Sequence, residues 1–434
     1  MAATTQLSAV HDRRTCVNFA DALEAPQVTL RRFPYPYRCA LAICSDLDET
    51  PDGRAYDHLL RFLNTEEATD FGPGVGLECA NSIYFDMPPA QFSYWNGDPK
   101  GQEMVRTYIR SGHVDVLHSF GDLAGTRAAA NRALEELHRH DCRLAVWVDH
   151  SKAPTNFGGD IMSGLGDVVG SPAYHADLTA AYGIRYAWRG RVTSVIGQDE
   201  PHTTRAVGVR SRPLRSFRTV LKEHAKHQFG RAGSRKYAMH AANVLRRPVR
   251  LRDDTPVVEF MRFNPHWAGV SHADSARALS ESLSPRVLDC LLARESVSIL
   301  YAHLGKFFVR GNSALPEAIT ALRALRDRYE QRTTLLTTTA RLLRHVDARD
   351  GVRFTVTQSG ERTAIRILEM QDALARSRAP CVEELAGLTF VAPGRREMEL
   401  ELSDSTPVRC ELYHANDQTY AMIPWRRLPF PQTS

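Results

Sequence analysis

No apolar run in this 434-residue chain approaches the ~18–20 residues that a membrane span requires, which excludes a helical membrane protein. The N-terminus through His11-Asp12-Arg13-Arg14 is charged and has no apolar h-region, so it does not read as a secretory signal. The eight cysteines (16, 39, 44, 79, 142, 290, 381 and 410) form no CxxC pair and no regular spacing. That argues against a disulfide framework or a Cys-rich zinc site, and a reducing cytoplasm fits best. There is no GxSxG elbow, P-loop or GxGxxG. The Gly-rich Ser163-Gly164-Leu165-Gly166 has no strand before it and no Lys after it, so it reads as a loop. Acids are scarce in one place: Arg205–Arg252 holds fourteen Lys/Arg against the single Glu223. Such a block is a solvated surface, or a face for a phosphorylated substrate, acidic polymer or lipid headgroup. It is not read as a nucleic-acid surface, because base stacking needs regularly interleaved aromatics.

What is present is a set of short apolar runs that end in chemistry. Ala40–Ser45 closes on Asp46-Leu47-Asp48-Glu49, Val114–Leu117 on His118, Leu144–Val148 on Asp149-His150, and Ser298–Ala302 on His303. A buried strand has no reason to finish on acids or imidazoles unless its end faces water or a cation. In α/β sheets and barrels, chemistry sits at these carboxyl ends. Seven such runs (40–46, 81–86, 114–118, 143–149, 184–188, 257–263 and 296–303) alternate with helical patterns. The alternation predicts an α/β fold, a seven-stranded (β/α) barrel over residues 31–346 with a basic insertion at 200–255. Residues 1–30 read as a poorly ordered leader. From 347 to 434 the pattern turns to period-2 alternation, as in Val352–Thr357 and Met398–Leu402, which predicts a small antiparallel, sandwich-like β domain.

Asp46 and Asp48 are two apart, so on an extended segment both project from one side. Two carboxylates in one place need a cation or a shared proton. His118 and His150 end neighbouring strands ~4.8 Å apart, within reach of one ion. Asp122 follows His118 by four residues; it reads equally as a further ligand and as either a cap for the helix from Thr126 to His140 or a loop acid. Trp95, Trp147, Trp188 and Arg262 are candidates for a sugar-stacking and anion-binding rim. Asn156 and Asn264, in strand-end loops with His266 and Trp267, are expected to face the same mouth.

Three motifs, Ser45-Asp46-Leu47-Asp48-Glu49, His118-Ser119-Phe120-Gly121-Asp122 and Leu300-Tyr301-Ala302-His303, make the chain resemble the polysaccharide deacetylase (NodB-like, carbohydrate esterase 4-type) superfamily over residues 38–345. It departs from that pattern twice: Leu47 separates aspartates that are usually adjacent, and Asp122 stands where a second histidine is usual. The resemblance implies Asp46 as general base, Asp48 and His118 as metal ligands with His150 or Asp122 completing the set, and His303 as general acid. The implied ion is Zn²⁺ first, with Fe²⁺, Co²⁺, Mn²⁺ or Ni²⁺ as alternatives. The implied reaction removes an N-acyl group, acetyl by preference, from an amino sugar or a glycan or natural-product precursor, phosphorylated or not. Two rival readings are a catalytically weakened barrel that binds carbohydrate or a protein partner, and a glycosidase that uses the carboxylates without metal.

Overall fold

Cys39–Ser45 (β1) is buried at all seven positions, as a strand must be when helices or other strands cover both faces of its sheet. The computed structural model describes residues 28–151, 153–207, 213–265, 276–308 and 315–432. In it β1 is followed by six more parallel strands: Asn81–Ile83 (β2), Val114–His118 (β3), Val146–Val148 (β4), Tyr186–Trp188 (β5), Pro256–Phe260 with its continuation Arg262–Phe263 (β6), and Val297–Ala302 (β7). These are the seven runs read from the sequence. β7 pairs with β1 over six residues, so the hydrogen-bonded path returns to its start.

The ring is stitched at two seams of one residue pair each, Ser45 with Asn81 and Phe263 with Leu300. Below the first seam, Thr334–Thr337 lies parallel on Cys39–Ala42; below the second, Arg246–Arg250 lies antiparallel on Pro256–Phe260. The result is a strongly curled mixed sheet, a half-barrel drawn together at its carboxyl end and splayed at its floor. Neither extra strand was expected from the sequence, and the second falls inside the basic insertion.

Local signals set the helices between strands. Gly53–Asn64 (α1) starts where the Asp52 carboxylate accepts from Ala55 N (2.8 Å). Pro99–Ser111 (α2) starts at Asp98 and stops at Gly112, whose φ of 80° suits glycine. Arg127–Arg139 (α3) is capped by Thr126, which accepts from Ala129 N (3.2 Å). The cap reading of Asp122 is thereby corrected: Thr126 occupies that position. No described helix is long and apolar enough to cross a membrane.

The C-terminal part forms two small sheets. Thr389–Pro393, Gln418–Met422 and Glu411–Ala415 are joined by Thr29–Leu30, so two residues assigned to a leader are ordered strand. Val352–Ser359, Arg362–Gln371, Glu397–Leu402 and Pro407–Val408 make the second sheet. Its central pair, Arg362–Gln371 with Glu397–Leu402, is parallel, which corrects the wholly antiparallel expectation. Ile365, Ile367 and Leu400 from one sheet meet Phe390 and Ala421 from the other in one apolar cluster. Residues 425–430 then run back along the half-barrel. Arg427 donates to Leu77 O (2.7 Å), Leu428 N to Glu78 (2.8 Å), and the Phe430 ring packs on Tyr108 and His113.

Candidate metal centre

Beyond β1, Asp46 N donates to Ala302 O (2.8 Å) and Leu47 N to Ser82 Oγ (3.0 Å), and a turn over Leu47–Thr50 follows, closed by Thr50 N on Leu47 O (3.1 Å). Leu47 is fully buried in the core, while Asp46 and Asp48 on either side of it both face the imidazoles of the mouth. Glu49, at φ 66°, then swings the chain aside. Leu47 therefore acts as the peg that puts both carboxylates on one side.

Asp46 is 2% exposed and receives both guanidinium arms of Arg262, at 2.7 and 3.1 Å. The Arg262 carbon lies 3.5 Å from the Trp188 ring centroid and 3.9 Å from that of Tyr301. Burial pushes the Asp46 carboxyl pKa up, but Arg262, with His118 and His303, outweighs it and holds the group below its ordinary value. Burial likewise works against the Arg262 cation, and Asp46 more than restores it.

Asp48 faces two imidazoles: Oδ1 is 2.8 Å from His150 Nε2 and Oδ2 is 3.2 Å from His118 Nε2. One ligand atom from each of the three residues falls within a common 4.8 Å. Ligands of one ion bound at ~2.0–2.2 Å stand ~3–4.5 Å apart, so the group fits a divalent cation. Burial would raise the Asp48 carboxyl; hydrogen bonds to His118 and His150 bring it well below its ordinary value. A half-buried carboxylate facing two buried imidazole nitrogens is the donor chemistry of a borderline ion such as Zn²⁺.

Asp122 is not in that group. Its carboxylate lies 3.0 Å from His150 Nδ1, the ring nitrogen turned away from Asp48. Asp122 reaches it because the turn after β3 is unusually tight: Ser119 has φ 52° and Gly121 φ 100°. A Cβ on Gly121 would stand 2.3 Å from the Asp86 carbonyl oxygen, so only glycine fits. Burial would lower the His150 pKa, but Asp122 and Asp48 together lift it to about 10. His303 Nε2 sits 3.8 Å from Asp46 Oδ2 and 3.9 Å from Asp48 Oδ2, so it overlooks both acids.

The rim residues are placed differently from expectation. Trp147 and Trp188 are fully enclosed and offer no ring face to a sugar. Trp147 Nε1 donates to Asp149 (2.7 Å) and Trp188 Nε1 to Arg191 O (2.7 Å). Trp95 packs under Arg132. Arg262, also fully buried, serves Asp46 and not a substrate anion. Asn156 is buried and clasps the His150 backbone, accepting from its N–H (2.9 Å) and donating to its carbonyl (3.1 Å). Asn264 donates to Tyr301 O (3.4 Å). His266 and Trp267 lie outside the described residues.

Sequence reading missed the loop anchor. Asp149, fully buried, accepts from Trp147 Nε1, Phe157 N (2.8 Å) and Gly158 N (2.9 Å), which fixes the loop that carries His150. An acid closing a strand next to a Gly-Gly loop was the available signal. Part of the basic block is structural: Arg246 pairs with Asp347, Arg247 with Glu259, and Arg252 with Asp167. The seven described cysteines are unpaired.

No protein-family model matches this sequence, and no curated protein is significantly similar to it. Among solved structures, the chain is similar to a candidate polysaccharide deacetylase from Mycobacterium smegmatis, at 14% identity and a TM-score of 0.37 over 77% of this chain and 99% of that one. It is also similar to a lysine decarboxylase from Selenomonas ruminantium, at 12% identity and a TM-score of 0.27 over 90% and 87% of the two chains. Likenesses this distant do not decide an activity.

Proposed function

We propose that this chain is a metal-dependent hydrolase of carbon–nitrogen amide bonds that removes an N-acyl group, acetyl by preference, from an amino sugar or a precursor that carries one. The observation that supports it is a division of labour between two carboxylates on one segment. Asp48 faces two imidazoles, while Asp46 faces a buried guanidinium and stays ionised. In this reading Asp48, His118 and His150 would hold the ion, with Zn²⁺ preferred, and Asp122 would orient His150 from behind. A divalent ion there supplies Lewis acidity toward the amide carbonyl.

The protein's own groups do the rest. Asp46, kept anionic by Arg262, takes a proton from the attacking water. Because Arg262 is sealed between two aromatic rings, solvent cannot displace it from Asp46. His303, facing both acids, hands a proton to the departing amine. The glycosidase reading fares worse: it needs one carboxyl protonated as general acid, and Asp46 and Asp48 are both held below their ordinary range. We place this chemistry in residues 31–346, with 347–434 as a supporting β unit.

The test is metal analysis of protein purified without chelator, followed by assays on N-acetylated amino sugars. Stoichiometric ion and turnover that is lost on chelation and restored by Zn²⁺, Co²⁺ or Mn²⁺ would support the proposal. Ion-free protein with no turnover under any of these metals would reject it.

A further inference from the structure

The acid-poor stretch of the sequence remains unexplained by the site. Within it, helix Pro213–Arg231 turns Glu223 and Lys226 inward. Lys226 Nζ donates to Glu223 Oε1 (2.7 Å) and to Val192 O (2.9 Å), and Glu223 Oε2 accepts from Thr193 Oγ1 (3.1 Å). The outward face carries Phe217, Leu221 and Phe229, at 62%, 53% and 57% exposure. Their spacings of four and eight put them on one stripe with exposed Ala225 between. A normal surface helix keeps its apolar side chains on the core side; here Val220 packs on Val195, Ala206 and Val207, and a second apolar stripe is left outside. Arg218 and Arg231 on the helix, and Arg205 and Arg235 in the turns before and after it, are exposed, and none pairs with an acid among the described residues. The segment's one acid, Glu223, is buried against Lys226. Bulky apolar side chains thus stand in solvent beside exposed cations, and within the described part of Arg205–Arg252 the only acid is buried.

The helix also stands beside the site. Val192 and Thr193, which its inner face grips, pair directly with Arg262 and Phe263, and Arg262 holds Asp46.

We propose that this helix docks the protein on an anionic lipid surface, Phe217, Leu221 and Phe229 entering the headgroup boundary and the arginines meeting lipid phosphates. The mouth beside it would then take an acylated amino sugar carried on a lipid; this substrate class rests on the amidohydrolase reading above, whereas the docking does not. An isologous contact with a second copy would oppose like charges. A single exposed helix is a ridge, not the groove a protein partner would fill; a membrane needs no such groove.

The experiment is co-flotation with vesicles of phosphatidylcholine alone or mixed with phosphatidylglycerol. Wild type and Asp46→Asn should both float with the anionic vesicles, less so as salt rises, and not with phosphatidylcholine alone. Phe217→Ser/Leu221→Ser/Phe229→Ser and Arg218→Glu/Arg231→Glu/Arg235→Glu should each lose roughly tenfold or more in binding. Both surface triples should keep turnover on a soluble acylated amino sugar and lose it on the same sugar displayed on vesicles. No binding to anionic vesicles, or triples that bind like wild type, would overturn the proposal. A concentration-dependent dimer that the serine triple abolishes would overturn it in favour of a second copy. Vesicle binding with no turnover on any acylated sugar would leave the docking standing and remove the amidohydrolase reading.

Discussion

Replacing Arg262 with leucine should be among the costliest single changes in this protein, and its cost should depend on Asp46. Both side chains are essentially inaccessible, at 0% and 3% exposure, and they meet through two hydrogen bonds. With charge centres ~4 Å apart and an effective dielectric constant of ~20, their attraction is about 4 kcal/mol. Removing one partner of such a pair costs about 3–5 kcal/mol, because the other charge is left buried and alone. Removing both leaves no stranded charge, so Arg262→Leu with Asp46→Asn should be more stable than the sum of the two single losses by about 2–4 kcal/mol. Urea unfolding in the presence of chelator, followed by tryptophan fluorescence, measures all four corners of the cycle. The pH dependence gives a second readout. In wild type the Asp46 pKa is depressed on folding, so its contribution is present above the unfolded carboxylate range and lost as pH falls through the folded value. In Arg262→Leu, burial dominates, the folded pKa rises, and stability should instead fall as pH climbs through that range. An Arg262→Leu cost under about 1 kcal/mol, or strict additivity in the double variant, would refute the buried-pair account.

Asp122→Asn should leave the fold intact and weaken metal binding by about 10–100-fold in a chelator competition, since it touches only the far nitrogen of His150; a larger loss, matching that of His150→Ala, would make Asp122 a ligand. His303→Ala should keep its metal and lose on the order of 10²–10⁴ in kcat, far from additively with Asp46→Asn; unchanged turnover would remove His303 from the chemistry. Gly121→Ala should destabilise the protein by roughly 2 kcal/mol or more in thermal unfolding, because the residue adopts φ 100° and its new Cβ would meet the Asp86 carbonyl.

The strands were legible because each ends in a change of chemistry. An apolar run stopping at Asp46, His118, His150 or His303 marks a strand and its site-facing end at once. Pairings between distant segments leave no such mark. Thr334–Thr337 is four residues of ordinary composition, and only its contact with Cys39–Ala42 makes it a strand. Arg246–Arg250 reads as charged surface, yet Arg246 and Arg247 are partly covered by acids that lie elsewhere in the chain, Asp347 and Glu259. The same limit governed the rim. Trp147 and Trp188 look like sugar platforms in sequence because nothing there says which face of the strand closes over them. Arg262 was noticed as a site residue, but the short step from β6 that aims it at Asp46 is a property of the curled sheet.

The seams and the returning segment have a consequence for how the molecule must assemble. Tyr35 N meets Thr389 Oγ1 across a separation of 354 residues, and Leu428 N meets Glu78 across 350. β1, which carries both catalytic-type carboxylates at its end, gains its flanking strand from Thr334–Thr337 and its partner β7 from Val297–Ala302. Nothing near Asp46 in the sequence can therefore complete its surroundings; the chain must close loops of several hundred residues first. Such wiring slows folding and makes the late steps the site-forming ones. It also interleaves the two parts, since Thr29–Leu30 belongs to the far sheet and residues 425–430 to the half-barrel. One cut near residue 346 would release neither part whole, and an excised barrel would lose the cover along Leu77, Glu78 and Tyr108 that its own strands do not supply.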